Sequence, residues 1–337
     1  MIIATVILLF GTYIISAGGG FSGTITEIKK ASNVEELEMI WKKNESVLSE
    51  QKRLELSQQI KKQLIKLHLK HNDILKAKKW LPKNKEAFNF VIVPDLSSRI
   101  NNTMDKNKRQ FMRDTTIISS IYDLLLKKML DRNYGYNHRI VVTLTDENQG
   151  CKTNKNLVIE FLDGKASHFN ELKQKKKQFM ANISEMYQCA QTIPIGSAGA
   201  DYVAYFDNQS SGLEAQLKTA DLYNDYKNIV FVITDGYLEA TMPNGSYKNY
   251  TPLTQNSEIP LPENNVLLEN TKLFLLEFNE QSDGKIPPTR NAYFKILRSQ
   301  WITYAQNMGA LISNKYVFDN QSNVKTMEHS IDYLLNE

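Results

Sequence analysis

Apolar positions follow two different rhythms along this chain. Between about residues 32 and 80 they step by three and four: Ile60, Leu64, Leu67, His71 and Ile74 fall on one helical face, and Val47 and Leu54 stand seven residues apart. No Gly or Pro interrupts the stretch, and Lys, Glu, Gln and Leu dominate it. It therefore predicts an amphipathic helix, in one piece or two, with a partner surface in its own domain, another helix or a second copy of the chain. From residue 88 the rhythm shortens, and β-branched and aromatic runs alternate with helical stretches. Strands are predicted over 88–93, 139–145, 157–162, 228–233, 271–278 and 316–318. Helices are predicted over 108–130, 170–191, 289–309 and 324–335, and a further short one precedes residue 228. This alternation predicts an α/β fold, a doubly wound, mostly parallel sheet with helices on both faces, preceded by an N-terminal α-helical segment. The polar turn material between the strands at 139–145 and 157–162 suggests a hairpin, which would make one edge strand antiparallel.

The first 17 residues, MIIATVILLFGTYIISA, contain no charged side chain, and the following GGGFSG is small and flexible. Two readings stand for residues 1–23: a signal peptide, or an N-terminal membrane anchor. Either places the protein at the cell envelope, with membrane association through residues 1–17 in the anchored case. Residues 24–87 form the helical, Lys-rich segment, with a coiled coil and self-association through residues 32–80 as one of its readings. Residues 88–337 form the main domain.

Charge sharpens this division. Of 41 Lys and Arg and 37 Asp and Glu, residues 27–87 hold 15 and 9, an excess of +6; the remainder holds 26 and 28, or −2. The main domain thus lacks the basic balance that phosphate neutralisation requires, and nucleic acid is not expected as a partner. Cys151 and Cys189 are too few for a disulfide framework and too far apart for a zinc knuckle. Their pairing is left open by the sequence.

Candidate chemistry gathers where two apolar strands stop. FNFVIVPDLSSRI delivers Asp95, Ser97, Ser98 and Arg99 to a loop, and NIVFVITDG delivers Thr234 and Asp235. In open α/β sheets, ligands collect just outside the carboxyl ends of strands. With DLSSR after the first strand and VITDG after a later one, residues 88–337 resemble the von Willebrand factor type A domain. That resemblance implies that the two strands are neighbours. It also implies a metal-ion-dependent adhesion site for Mg2+ or Mn2+, with Asp95, Ser97 and Asp235 as ligands and a protein partner completing the coordination. Hard divalent cations suit such oxygen donors. The chain departs from the family pattern twice. Arg99 stands where the second Ser is expected, and Ala200 where a Thr is expected, with Ser197 or Asp201 as substitute oxygen donors. A guanidinium forks well onto carboxylates, so Arg99 is the alternative occupant of the cation's place.

The resemblance implies a non-enzymatic, protein-binding module for adhesion or assembly, acting through this crevice. The connection over 237–265 carries Tyr237, Tyr247 and Tyr250 and lies after the strand bearing Asp235, so it can cover the site. Two alternatives remain. A haloacid-dehalogenase-like phosphohydrolase would use Asp95 as nucleophile, although Ser97 stands where such enzymes place a second Asp. An envelope scaffold would act through the N-terminal helices.

Overall fold

The computed structural model describes residues 20–337 apart from 69, 102–108, 132–136, 146–150, 152–156, 162–168, 193–199, 242–246, 252–259, 265, 279–287 and 321. The chain divides into two compact units: residues up to Lys85 together with Ala220–Asp225, and Glu86–Thr219 together with Tyr226–Glu337.

The first unit is helical. Its elements are α1 (Gly20–Lys30), α2 (Val34–Asn44), α3 (Glu50–Lys66) and α4 (His71–Trp80). The expected one or two helices are thus broken further, and local chemistry explains two of the breaks. Asn33 caps α2 by accepting from the Glu36 N–H at 2.8 Å, while the Glu36 carboxylate accepts from the Ser32 N–H at 2.8 Å, so orphan donors at the helix start are satisfied reciprocally. His68, at φ 48°, takes the left-handed conformation just beyond α3 and stops it. Ile28, Val34, Leu37, Trp41, Leu56, Ile60 and Leu64 form the core of this unit, joined by Leu222 from the returning segment. Lys78 pairs with Asp225 there, and the Asn84 side chain donates to the Leu222 carbonyl at 3.2 Å. Val47 and Leu54 are 72% and 57% exposed, so the seven-residue interval faces outward and does not mark this unit's core.

The second unit is built on a mixed, mostly parallel six-stranded sheet. Its strands are β1 (Glu86–Pro94), β2 (Arg139–Val142), β3 (Val158–Glu160), β4 (Asp225–Ile233), β7 (Thr271–Phe278) and β8 (Val317–Asp319), in the order β3-β2-β1-β4-β7-β8. β1 runs parallel to β2, β4 to β7 and β7 to β8, while β3 pairs antiparallel to β2 at the edge. A strand flanked on both sides and covered must be apolar throughout. β1 is buried from Ala87 to Pro94, and apart from Asn89, which is buried with its side chain hydrogen-bonded, these residues are apolar. The order reverses between β1 and β4, and a crevice outside their carboxyl ends is where such sheets bind ligands. The helices of this unit are α5 (Gln110–Leu130), α6 (Phe169–Gln191), α7 (Tyr202–Asp207), α8 (Pro288–Asn307) and α9 (Val324–Asn336).

The connection after β4 departs from expectation. It contains a small antiparallel hairpin of β5 (Glu239–Thr241) and β6 (Tyr247–Asn249), not an irregular loop throughout. Tyr237 packs against Tyr293 in a tilted contact and against Phe294 edge to face, with ring centroids 6.3 and 6.1 Å away, and Tyr250 packs against the core, so both rings are partly spent on their own unit. The side chain of Tyr247 lies outside the described residues.

Cys151 and Cys189 are joined by a disulfide with their Cα atoms 5.5 Å apart and a separation of 38 positions in sequence. Closing a loop of that length removes denatured-state entropy equivalent to about 4 kcal/mol in the chain-entropy model. Reduction, or Cys189→Ser, is expected to destabilise the protein by roughly that amount, read as a lower urea midpoint; an unchanged midpoint would count against a structural role for the bond.

Candidate functional site

The loop after β1 is shaped by its own polar groups. Asp95 Oδ1 accepts from the Ser97 N–H at 2.8 Å, and the Asp95 N–H donates to the Ile233 carbonyl at 2.8 Å, stitching the ends of β1 and β4 together. A short 3-10 turn, Ser98–Asn101, follows, with Leu96 and Ile100 buried on either side of Arg99. This turn folds the arginine back into the unit, where it is 3% exposed.

Burial of a guanidinium requires carboxylates or carbonyls to receive it. Arg99 Nη2 donates to Asp114 Oδ2 at 2.9 Å and to the Ile233 carbonyl at 3.1 Å, and its Nε lies 3.5 Å from Asp95 Oδ2. Thr234 Oγ1 is 3.4 Å from the same Asp95 oxygen and accepts from the Gly236 N–H at 3.0 Å. Asp235 turns its carboxylate onto its own loop, accepting from the Tyr237 N–H at 3.1 Å. Gly236 between them has φ +97°, and a Cβ there would sit 2.4 Å from the Phe278 ring; Trp301 Nε1 donates to its carbonyl at 2.8 Å. The β4 end is therefore held as firmly as the β1 end.

Behind Arg99 lies a second tier. Asp114 also accepts from Gln110 Nε2 at 2.9 Å and from the Tyr187 hydroxyl at 3.2 Å. Gln110 donates in addition to Glu277 Oε2 at 2.9 Å, and Arg113 Nε donates to that same oxygen at 2.6 Å. Glu277 is fully buried at φ 65°, beside a register shift between β7 and β8. Such a backbone conformation costs about 1 kcal/mol or more for a residue with a Cβ and persists where surrounding contacts over-determine it. Here it brings the carboxylate to Gln110 and Arg113.

Electrostatics follow from this crowding. Burial works against the charged guanidinium of Arg99, but Asp114, Asp95 and Asp235 outweigh it and hold its pKa well above the usual value. Asp114 is pushed up to about 6, chiefly by burial and further by Glu277, against the opposing pull of Arg99. Glu277 is also raised, by burial first, with Arg113 and Gln110 opposing. One cation serves several acids, so no carboxylate has it exclusively.

The structure brings Asp95, Ser97, Arg99 and Asp235 to the adjoining ends of β1 and β4. Asp201 serves otherwise: it caps α7 by accepting from the Ala204 N–H at 2.8 Å and pairs with Lys248 Nζ at 3.0 Å. Ser197 lies outside the described residues. Sequence reasoning missed Asp114, Gln110, Glu277 and Tyr187. The first two continue the buried face of α5 above Ile117, Ile118 and Ile121, so polar residues in phase with an apolar stripe were the available signal.

A divalent cation does not fit these donors as they stand. Asp95 Oδ1 is engaged by a backbone N–H, and Oδ2 faces the Arg99 guanidinium. An ion bound through Asp95 would have to share that carboxylate with the guanidinium, whose like charge opposes it while Asp95 and Asp235 attract it. The chain matches no protein-family model and no curated protein sequence.

Because the native pKa of Asp114 exceeds its unfolded value, this group stabilises the fold at low pH, and the contribution fades as pH rises from about 4 through about 6. From pH 5 to pH 7 it should remove about 1 kcal/mol. Urea unfolding of Asp114→Asn at the two pH values should show a smaller loss over that interval than the parent; equal losses would contradict the assignment.

Proposed function

We propose that the chain is a protein-binding module of the von Willebrand factor type A kind, acting in adhesion or assembly through the crevice at the ends of β1 and β4. The observation that carries this reading is the convergence of Asp95, Arg99 and Thr234 at the carboxyl ends of two adjacent central strands. The strand order β3-β2-β1-β4-β7-β8, with a reversal at that point, supports it. A phosphohydrolase reading gains less support, because Asp95 is 3% exposed with both oxygens engaged. The disulfide favours an oxidising compartment, and hence a domain exported across the membrane by a signal peptide or held outside it by an anchor. Among the described residues no helix is long and apolar enough to cross a membrane; residues 1–17 lie outside them.

Photo-crosslinking in the native host tests the crevice. A benzophenone side chain at Ser97 or Tyr237 should capture a discrete protein, whereas the same probe at Lys218 or Lys227, toward the opposite end of β4, should not. Equal capture from both ends, or capture from neither, would remove the crevice reading.

A second reading, assembly through the helices, is favoured by the exposure of Met39 (65%), Val47 (72%) and Leu54 (57%) in a unit of modest size. If the helices self-associate, Val47→Glu with Leu54→Glu should lower the sedimentation mass of the full chain while leaving its melting temperature within about 2 °C of the parent. An unchanged mass would argue against assembly through these residues.

A further inference from the structure

We infer that the Arg99 guanidinium is a built-in counter-cation for the crevice, and that it makes the site independent of divalent metal. This deepens the proposed function and rests on it: the partner would be bound by a crevice whose positive charge is covalently part of the chain.

Position, not overall charge balance, supports the inference. Asp95, Asp114, Asp235 and Glu277 are brought together in this region with Arg99 and Arg113 as the cations of the same network. Arg113 is committed to the second tier through Glu277 and the Ser322 carbonyl. Arg99 therefore lies against Asp95 and Asp114, within the field of Asp235, and is the group whose charge a metal ion would otherwise have to supply. Its anchoring is not that of an incidental surface arginine. The Ile233 carbonyl, Asp114 and the turn over Ser98–Asn101 fix it from outside the pair it forms with Asp95. A guanidinium cannot deprotonate at physiological pH, so this charge is also permanent, whereas a bound ion depends on its free concentration.

The consequence is a site insensitive to chelation. Thermal melting of the intact protein in millimolar MnCl2, MgCl2 or EDTA should give one melting temperature, and calorimetric titration with Mn2+ should give no saturable heat. Arg99→Met, which keeps the apolar stem and removes the charge, should melt about 10 °C lower. Arg99→Ser should also melt lower in EDTA, and Mn2+ should restore about 5 °C to it while leaving the parent unmoved.

Saturable binding of one Mn2+ by the parent would overturn the inference outright, even if neither variant folds. Arg99→Met melting with the parent, or an Arg99→Ser variant indifferent to Mn2+, would also overturn it by showing that the charge does not stand in for an ion. These readings involve no partner. Loss of the inference would therefore leave the crosslinking result intact, and crosslinking from Ser97 that persists in EDTA would support both.

Discussion

A permanently charged group buried at the meeting point of two central strands constrains the whole second unit. Arg99 is inside, so Asp114 must be inside; Asp114 lies near the start of α5, just past its first turn, so the helix must dock with a polar face over the strand ends. Tyr187 on α6 and Gln110 on α5 then complete the hydrogen bonds that Asp114 still demands. These bonds offset the cost of burying polar groups in a low-dielectric interior, although Arg99 Nε and Nη1, Gln110 Oε1 and Glu277 Oε1 find no hydrogen-bond partner among the described residues. Apolar packing makes the unit compact, while this network specifies which end of the sheet receives the polar loops.

The same network reaches the far side of β4 through a distorted strand. At Glu277 the backbone leaves the extended region and the β7 to β8 register shifts, which lets the carboxylate meet Gln110 and Arg113. A regular strand would have placed this residue's side chain according to the alternation of the sheet alone. The bulge and the buried ion pair are thus two aspects of one arrangement, with the local distortion offset by the charge-assisted hydrogen bond.

Much of the sheet was legible because central parallel strands announce themselves as uninterrupted apolar runs. β1, β4 and β7 follow directly from FVIV, IVFVI and LFLL, and the polar stretch before β3 pointed to an antiparallel edge. The strand-end residues Asp95, Ser97, Arg99 and Asp235 were likewise visible as polar groups stopping those runs. What escaped depends on tertiary context. Asp114 and Glu277 look like ordinary charged residues of a helix and a strand until Arg99 turns inward to meet one and Arg113 reaches the other. The helical unit was read as longer pieces because nothing in the composition around His68 requires a left-handed residue. Val47 and Leu54 kept a heptad spacing while facing outward, since spacing alone does not say which side of a helix is covered.

The short segment Ala220–Asp225 gives the division between units an unusual form. Leu222 lies in the helical core and Asn84 donates to its carbonyl, although the residues before and after the segment belong to the sheet-bearing unit. The polypeptide consequently passes from one unit to the other at three points along its length, and no single cut separates them. A fragment beginning at Glu86 would carry Leu222 without the core that surrounds it, and a fragment ending at Lys85 would lack one of its own core residues. Modularity in this protein is a property of its folded surfaces and not of its linear sequence.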